Sequence, residues 1–448
     1  MNRRQFLSSA LAAGAALGSG LWARPARAQA PGPNDKLNVA CIGVQNRAAA
    51  NVAGVASENI VALCDIDENY LASAAEQYPG AATYYDFRRL LDDADSIDAV
   101  VVSTPDHVHA PASLWAMELG KHVYCEKPLT HNVFEARRMA LTAAEYGVAT
   151  QMGTQIHATD NYRRVVEIVR SGVIGDITEV QVWVNKAWGG GELPTETPPV
   201  PEHIHWDAWL GPAPERPYHP VYLPGNWRRW WDFGGGTLGD MACHVMDLPF
   251  WALGLRHPRT VEADGPPVHP ETCPLGMQVT YIFDGVDDNP PCRLVWSDGD
   301  RVPAEINGVP VPGMGVMFLG SKGMLFADYG RWELHPVHIF EGYEPPEPTI
   351  PSSIGHYQEW IRACKEGTPT TCNFDYSGAL TEAVLLGNVA YRVGEKLQWD
   401  ADTLTVSNVP GAEEYIGRVY REGWLPPAQP AYEPGEHASI ARRRANVA

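Results

Sequence analysis

Leu37-Asn38-Val39-Ala40-Cys41-Ile42-Gly43-Val44-Gln45-Asn46-Arg47-Ala48 is a short apolar run that breaks at a glycine and passes into a helix-forming stretch. A near-continuous apolar run of this length reads as a strand covered on both faces, the condition of a parallel sheet. The glycine marks a tight turn, and the helix it opens presents free N–H groups that can hold a phosphate. Against the G-x-G-x-x-G/A pattern of dinucleotide-binding turns, Gly43 and Ala48 keep the first and third positions, while Gln45 replaces the second glycine. Asp65 supports the reading. It ends the second strand 22 residues after Gly43, where a carboxylate accepts hydrogen bonds from the adenosine ribose hydroxyls and repels a 2′-phosphate. The pattern therefore favours NAD over NADP as cofactor, with Gly43, Gln45, Asn46, Arg47 and Asp65 in its site.

Working outward, short apolar runs alternate with helical stretches as far as Met152. Leu37–Ile42, Ile60–Cys64, Ile97–Thr104, His122–Cys125 and Val148–Met152 read as strands. Helices are expected over Arg47–Ala56, Glu68–Tyr78, Phe87–Asp92, Ala110–Leu119 and Val133–Tyr146. Asp106 is positioned to cap the fourth and Gly120 to end it, and Asn132 with Glu135 forms a capping-box start to the fifth. The alternation predicts an α/β chain whose first domain, residues 36–153, is a doubly wound parallel sheet.

Three further blocks carry chemistry. Thr104-Pro105-Asp106-His107-Val108-His109 follows the third strand, and Gly120-Lys121-His122-Val123-Tyr124-Cys125-Glu126-Lys127-Pro128 spans the next. Trp231-Asp232-Phe233-Gly234-Gly235-Gly236-Thr237-Leu238-Gly239-Asp240-Met241-Ala242-Cys243-His244 is a glycine-rich entry to a helix bearing Asp and His four residues apart, hence on one face. Together these segments resemble the glucose-fructose oxidoreductase/inositol dehydrogenase (Gfo/Idh/MocA) family, closely from Leu37 to Leu255 and more loosely to about Asp400. The resemblance implies that Lys127, Asp240 and His244 form the catalytic group. His244 would take the hydroxyl proton, Lys127 would bond the reacting oxygen, and Asp240 would orient the imidazole or bind a neighbouring hydroxyl. It also implies that Thr104, Pro105, His109, Glu126 and Lys127 reach the cofactor crevice. Asp247, on a similar helix face, reads as structural.

From Thr154 the pattern changes to longer alternating segments at Ile177–Asn185, Gly276–Phe283, Arg293–Ser297 and Gly315–Gly320, with helices over Ser352–Glu366 and Tyr376–Glu395. These agree with the family's second domain, an α+β unit with a large open, mainly antiparallel sheet for substrate binding and subunit contact, here residues 154–425. Eight of the fifteen tryptophans fall between Trp183 and Trp251. Aromatic faces beside hydrogen-bond donors suit a sugar ring, and Lys186, Arg228 and Trp231 are the substrate candidates.

The ends of the chain address where it works. Arg3-Arg4, Phe6-Leu7, a weakly apolar stretch to Trp22 and the small-x-small Ala26-Arg27-Ala28 resemble a twin-arginine export signal, residues 1–28. The translocon that reads it carries folded proteins, so a periplasmic location is expected. Removing residues 1–28, which hold four arginines and no acids, moves the net charge from −20 to −24. Nucleic acid is thereby disfavoured as a partner. No later apolar run approaches the roughly 20 residues of a membrane span. Of the eight cysteines, Cys41, Cys64 and Cys125 read as buried thiols, Cys273 and Cys292 as the pair to watch, and no spacing suggests a metal site. Residues 426–448 are Pro- and Arg-rich and read as an extended or disordered tail.

Export bears on function, because free nicotinamide cofactor is scarce outside the cytoplasm. Folding before export lets a cofactor leave locked in the protein, where it must be regenerated on site. Three functions fit: an oxidoreductase acting on one sugar or polyol and regenerated by another, a redox-neutral NAD-dependent glycosidase of the same fold, and a non-catalytic sugar-binding protein. Glu126-Lys127-Pro128 favours the first, and Gln45 is the best support for the third. The family's packing implies a homo-oligomer.

Overall fold

A computed structural model of the chain describes residues 36–285 and 289–434. The expected export signal and the end of the tail lie outside the described residues. The first domain runs β1 (Asn38–Ile42), α1 (Arg47–Gly54), β2 (Asn59–Cys64), α2 (Glu68–Gln77), β3 (Ala82–Tyr84), α3 (Phe87–Asp92), β4 (Ala99–Val102), α4 (Asp106–Glu118), β5 (His122–Cys125), α5 (Val133–Tyr146) and β6 (Thr150–Met152). Its strands are all parallel, in the order β3-β2-β1-β4-β5-β6. The order reverses between β1 and β4, which opens a crevice at their carboxyl ends. Helices on both faces explain why β4 is buried at every position. β3 was not expected from the pattern, because its residues are half-buried or exposed and form no apolar run.

Local chemistry sets most helix ends. Asp67 and Asp86 cap α2 and α3 by accepting from Asn69 and Arg88 N–H groups, and Asn132 with Glu135 closes a capping box on α5. The fourth helix departs from expectation. It begins at Asp106 rather than Ala110, Pro105 stands in the cap position, and the Asp106 carboxyl caps nothing but is buried beside the crevice. α4 runs straight through Pro111, which has no N–H to give the carbonyl of His107. Arg418, more than three hundred residues away, supplies that bond through Nη2 at 2.6 Å.

The second domain contains α6 (Asp160–Arg170), β7 (Ile177–Val184), α7 (Trp206–Leu210), α8 (Gly236–Val245), α9 (Asp247–Leu253), β8 (Thr260–Asp264), β9 (Gln278–Phe283), β10 (Cys292–Asp298), β11 (Glu305–Ile306), β12 (Val309–Pro310), β13 (Met314–Gly320), β14 (Gly323–Ala327), β15 (Trp332–His335), α10 (His356–Glu366), α11 (Phe374–Val393), β16 (Leu397–Asp400) and β17 (Thr405–Val406). Nine strands form one sheet, β15-β14-β13-β7-β10-β9-β8-β16-β17, antiparallel at every junction except β7 with β10. β11 and β12 form a separate hairpin. All eight cysteines are buried free thiols, Cys273 and Cys292 included. Among the described residues no helix is long and apolar enough to cross a membrane, and no cluster of three or more His, Cys, Asp or Glu is placed to hold a metal.

The two domains share one core. α10 returns to the first sheet and packs Trp360, Ile361 and Cys364 against Leu37, Val39 and Val101. α5 lies along α11 so closely that a side chain at Gly378 would meet the Ala136 carbonyl at 3.1 Å. Beside that contact Arg137 places Nη2 2.9 and 3.0 Å from the two carboxylate oxygens of Glu382, both side chains almost wholly buried. The near part of the tail is extended but docked: Tyr432 is buried against Phe134, and Gln429 bonds Glu118. Its aromatic ring repays the ordering that the surrounding proline-rich composition discourages. Glu382→Ala is expected to lower unfolding stability by about 3–5 kcal/mol, because it strands the buried Arg137 charge. Urea titration checks this, and a loss under about 1 kcal/mol would show that the pair does not join the domains.

Candidate active site

The carboxyl ends of β1, β2, β4 and β5 open into a cleft of about 580 Å³ whose far wall is built by the second domain. At the first turn Gly43 has φ +88°, and a Cβ there would stand 2.5 Å from the Ser103 carbonyl, so only glycine fits. Asn46 has φ 58° with ψ −119°, a positive φ outside the left-handed helical region, whereas Gln45, the position where glycine was missed, carries no positive φ. Asp65 receives the N–H groups of Val44 and Asp67 at 3.0 and 3.1 Å, which fixes its carboxyl at the end of β2. Burial pushes its pKa up to about 6 against those bonds.

Glu126, at the end of β5, is the hub of the turn. Its Oε1 accepts from Arg47 Nε, Asn51 Nδ2 and Gln155 Nε2 at 3.2, 2.9 and 2.8 Å. His109 ties two loops together, with ring nitrogens 2.7 Å from the Pro128 carbonyl and 2.8 Å from that of Thr104. Burial lowers its pKa more than those carbonyls raise it. A neutral ring donates to one of the two, since it carries a single N–H.

The chemistry gathers around Asp240. Its Oδ1 accepts from Lys127 Nζ at 2.7 Å and from Arg228 Nε at 2.8 Å, and Lys127 Nζ also donates to the Asp240 carbonyl at 2.8 Å. Arg228 lies over the Trp227 ring, 4.3 Å from its centroid. Against the cost of burial, the two cations hold the Asp240 carboxyl well below the usual carboxylate range. Two positive charges around one negative leave this trio with one net positive charge. His244, one turn further along α8, lines the same cleft. Burial, then the charge of Lys127, brings its pKa down to about 3, and its Nδ1 is buried without a partner among the described residues. Asp106 completes the group: burial raises its carboxyl to about 8, opposed by Arg228 and Lys127, and it accepts the Gly235 N–H.

This cleft joins a nucleotide turn to a neutral imidazole and a charged lysine, the combination that the three sequence blocks imply. The family model described as "Oxidoreductase family, NAD-binding Rossmann fold" matches residues 37–154, and "Oxidoreductase family, C-terminal alpha/beta domain" matches residues 159–426. The chain belongs to the Gfo/Idh/MocA oxidoreductase family. Its first domain is therefore an NAD-binding Rossmann domain. An uncharacterized oxidoreductase, YrbE of Bacillus subtilis (strain 168), is 30% identical over 281 residues, 63% of this chain and 70% of its own length. A glycosyl hydrolase family 109 protein of Shewanella pealeana is 32% identical over 209 residues, 40% of this chain and 44% of that protein. Among solved structures, the WlbA dehydrogenase of Bordetella pertussis, crystallised with NADH and UDP-GlcNAcA, has TM-score 0.58 at 18% identity and covers 82% of this chain and 99% of its own.

Of the residues singled out in this Gfo/Idh/MocA sequence, Gly43, Gln45, Asn46, Arg47, Asp65, Thr104, Pro105, His109, Glu126, Lys127, Arg228, Asp240 and His244 all line the cleft. Three expectations differ. Asp240 faces Lys127 and Arg228 rather than the imidazole, because a buried carboxylate gains more from two cations than from a neutral ring. Trp231 is buried away from the cleft, with Nε1 on the His269 carbonyl and Arg392 over its ring. Lys186 is exposed, its Nζ 3.9 Å from Met241 Sδ, and does not line the cleft either. Asp247 is wholly buried and bonded to His157 and Tyr376. Asp106, Asn51 and Gln155 were missed; only Asp106, inside a recognised block, gave a signal.

These shifts set a pH dependence. His244, His107 and His356 each have pKa values lowered to about 3 by burial. Unfolded imidazoles bind protons from about pH 6.5 downward, whereas the folded ones stay neutral, so the stability these three rings contribute is complete above about pH 6.5 and is lost as the pH drops toward 3. Asp65 and Asp106, raised by burial to about 6 and about 8, act in the opposite sense over part of that range, so the rings are followed individually: their imidazole NMR signals are expected not to titrate between pH 7 and about 4.5, and a midpoint near 6.5 would show that they are not buried neutral.

Proposed function

We propose that this protein is an NAD-dependent oxidoreductase acting on a hydroxyl or keto group of a sugar, sugar derivative or polyol, with its cofactor kept bound and recycled. The observation that carries the reading is the placement of Lys127, charged and held by Asp240, beside neutral His244 at the carboxyl edge of an NAD-binding sheet. The residues present fit the cofactor. Gly43 lets the turn ahead of α1 close against the Ser103 backbone, where a Cβ would not fit, and the Asp65 carboxylate keeps lone pairs beyond its two backbone bonds for ribose hydroxyls. Arg88 is committed to Asp86 through Nε and Nη2 and does not line the cleft, so it offers no free guanidinium to a 2′-phosphate beside Asp65.

When bound, NAD accepts or returns a hydride at the reacting carbon. The protein's part is to move the proton and hold the oxygen. His244, already neutral, takes the hydroxyl proton on oxidation and returns it on reduction. The Lys127 ammonium donates to the reacting oxygen and stabilises the negative charge that develops as the proton leaves. Asp240 fixes that ammonium, and Arg228, with one edge on Asp240, offers its remaining N–H groups to a neighbouring substrate oxygen.

The proposal includes export through the twin-arginine translocon to the periplasm and self-association, as the sequence leads us to expect. A redox-neutral glycosidase is the second reading, supported by the family 109 relative. Denaturing the purified protein and assaying the released nucleotide by mass spectrometry tests cofactor retention, with close to one NAD(H) per chain expected. Paired-sugar and glycoside assays then separate the two chemistries. In either, His244→Gln should lower kcat by about 10²–10⁴ while leaving bound nucleotide in place. A His244→Gln enzyme with ordinary kcat would remove the imidazole from the mechanism.

A further inference from the structure

Between β7 and α8 the chain leaves the second sheet, and its segment 201–227 crosses to the first domain. There it is fastened just beyond Asp65. The Glu68 N–H donates to the His203 carbonyl at 2.9 Å, the His205 N–H donates to the Ile66 carbonyl at 2.9 Å, and Ile204 pairs with Asp67 in an antiparallel bridge. The side chains repeat the fastening: His205 Nε2 lies 2.8 Å from Glu68 Oε1, and the His205 ring stacks on Tyr85 with centroids 3.8 Å apart and planes 8° from parallel. A second anchor follows at α7, where His107 Nε2 meets the Trp209 carbonyl at 2.8 Å. Trp209, Leu210, Ala213, Tyr222 and Trp227 of the segment form a small core with Trp230 and Phe233 just beyond it, so it is a preformed strap and not a loose loop.

The strap turns His203, Ile204, Trp209, Tyr218, Leu223 and Trp227 toward the same cleft that Gly43 and Asp65 line. No lysine or arginine faces the cleft from 201–227, and its Arg216 is taken by Asp232 and Glu271.

We propose that residues 201–227 form the second half of the dinucleotide site, a strap that closes over the adenosine half of NAD and holds it through successive turnovers. The inference rests on the proposed NAD-dependent activity and adds the part of the chain that retains the cofactor. Asp65 marks where the ribose lies, and the fastenings sit one and three residues beyond it, so the strap passes directly over the adenosine. Its inner face, largely aromatic and apolar and without lysine or arginine, suits an adenosine without a 2′-phosphate. Release of the nucleotide requires the bridge at Asp67 and Ile204 and the stack of His205 on Tyr85 to open, which gives exchange a slow step that an open cleft lacks.

The test is the dissociation rate of NAD from the full-length protein and from His205→Ala, measured by exchange of bound nucleotide for isotopically labelled NAD. The variant is expected to release NAD at least tenfold faster, to lose its nucleotide on gel filtration, and to regain turnover at saturating added NAD. Equal dissociation rates in variant and wild type would overturn the strap. An unaltered protein isolated without nucleotide would count against the captive-cofactor reading; the strap would then be judged on the dissociation rates of added NAD. Should His205→Ala fold poorly, hydrogen exchange on the wild-type protein decides: the amides of Glu68 and His205 must slow when NAD is bound, and unchanged exchange would overturn the proposal.

Discussion

The carboxylate of Asp240 is buried between two cations that reach it from separate parts of the chain, Lys127 at the end of β5 and Arg228 ahead of α8. A charge taken out of water at this depth persists only while it is paired, so neither cation is free to wander and neither domain can shift far against the other. That one constraint sets the start of α8 and, by the four-residue repeat, the place of His244 on the same face. It also leaves one net positive charge in the trio of Lys127, Arg228 and Asp240, close to the His244 ring. The Gly235 N–H bonded to Asp106 ties the glycine-rich entry of α8 back to the first domain at the same point.

A comparable hub serves the cofactor turn. Glu126 gathers Arg47, Asn51 and Gln155 on one oxygen, and Gly153 must lack a side chain because a Cβ would stand 2.6 Å from that carboxylate. The two hubs are neighbours in sequence, Glu126 and Lys127, yet they face different tasks. Both follow β5 directly and line the cleft, one bonded to Arg47 and the other to Asp240, so a single tripeptide orders both the nucleotide turn and the Asp240 cluster.

Local signals were legible where the physics is local. The capping box of Asn132 and Glu135 and the exact span of α5 follow from bonds made within a few residues, and the strand at β5 shows as a short apolar run buried in the sheet. Readings failed where a distant group decided. α4 passes through Pro111 because Arg418 satisfies the carbonyl that the proline leaves open. Trp231 and Lys186 carry the right chemistry for a sugar, but packing against Arg392 and exposure beside Met241 take them out of the cleft. Asp106 has the composition of a helix cap and becomes a buried acid, because a strand end, a glycine loop and two cations converge on it.

The sequence by itself determined the parallel sheet, the nucleotide turn and the carboxylate at Asp65, since each is written in periodicities and spacings shorter than about thirty residues, the span of a βαβ unit; Lys127, Asp240 and His244 were reached only through the resemblance of their blocks to the family. Only the tertiary structure decided what those groups do to one another. Which cation neutralises Asp240, why His244 stays uncharged, and which distant segment roofs the adenosine side of the cleft all depend on burial and on distances between residues far apart in the chain. Desolvation and Coulomb energies are properties of three-dimensional placement, and no spacing along a sequence contains them.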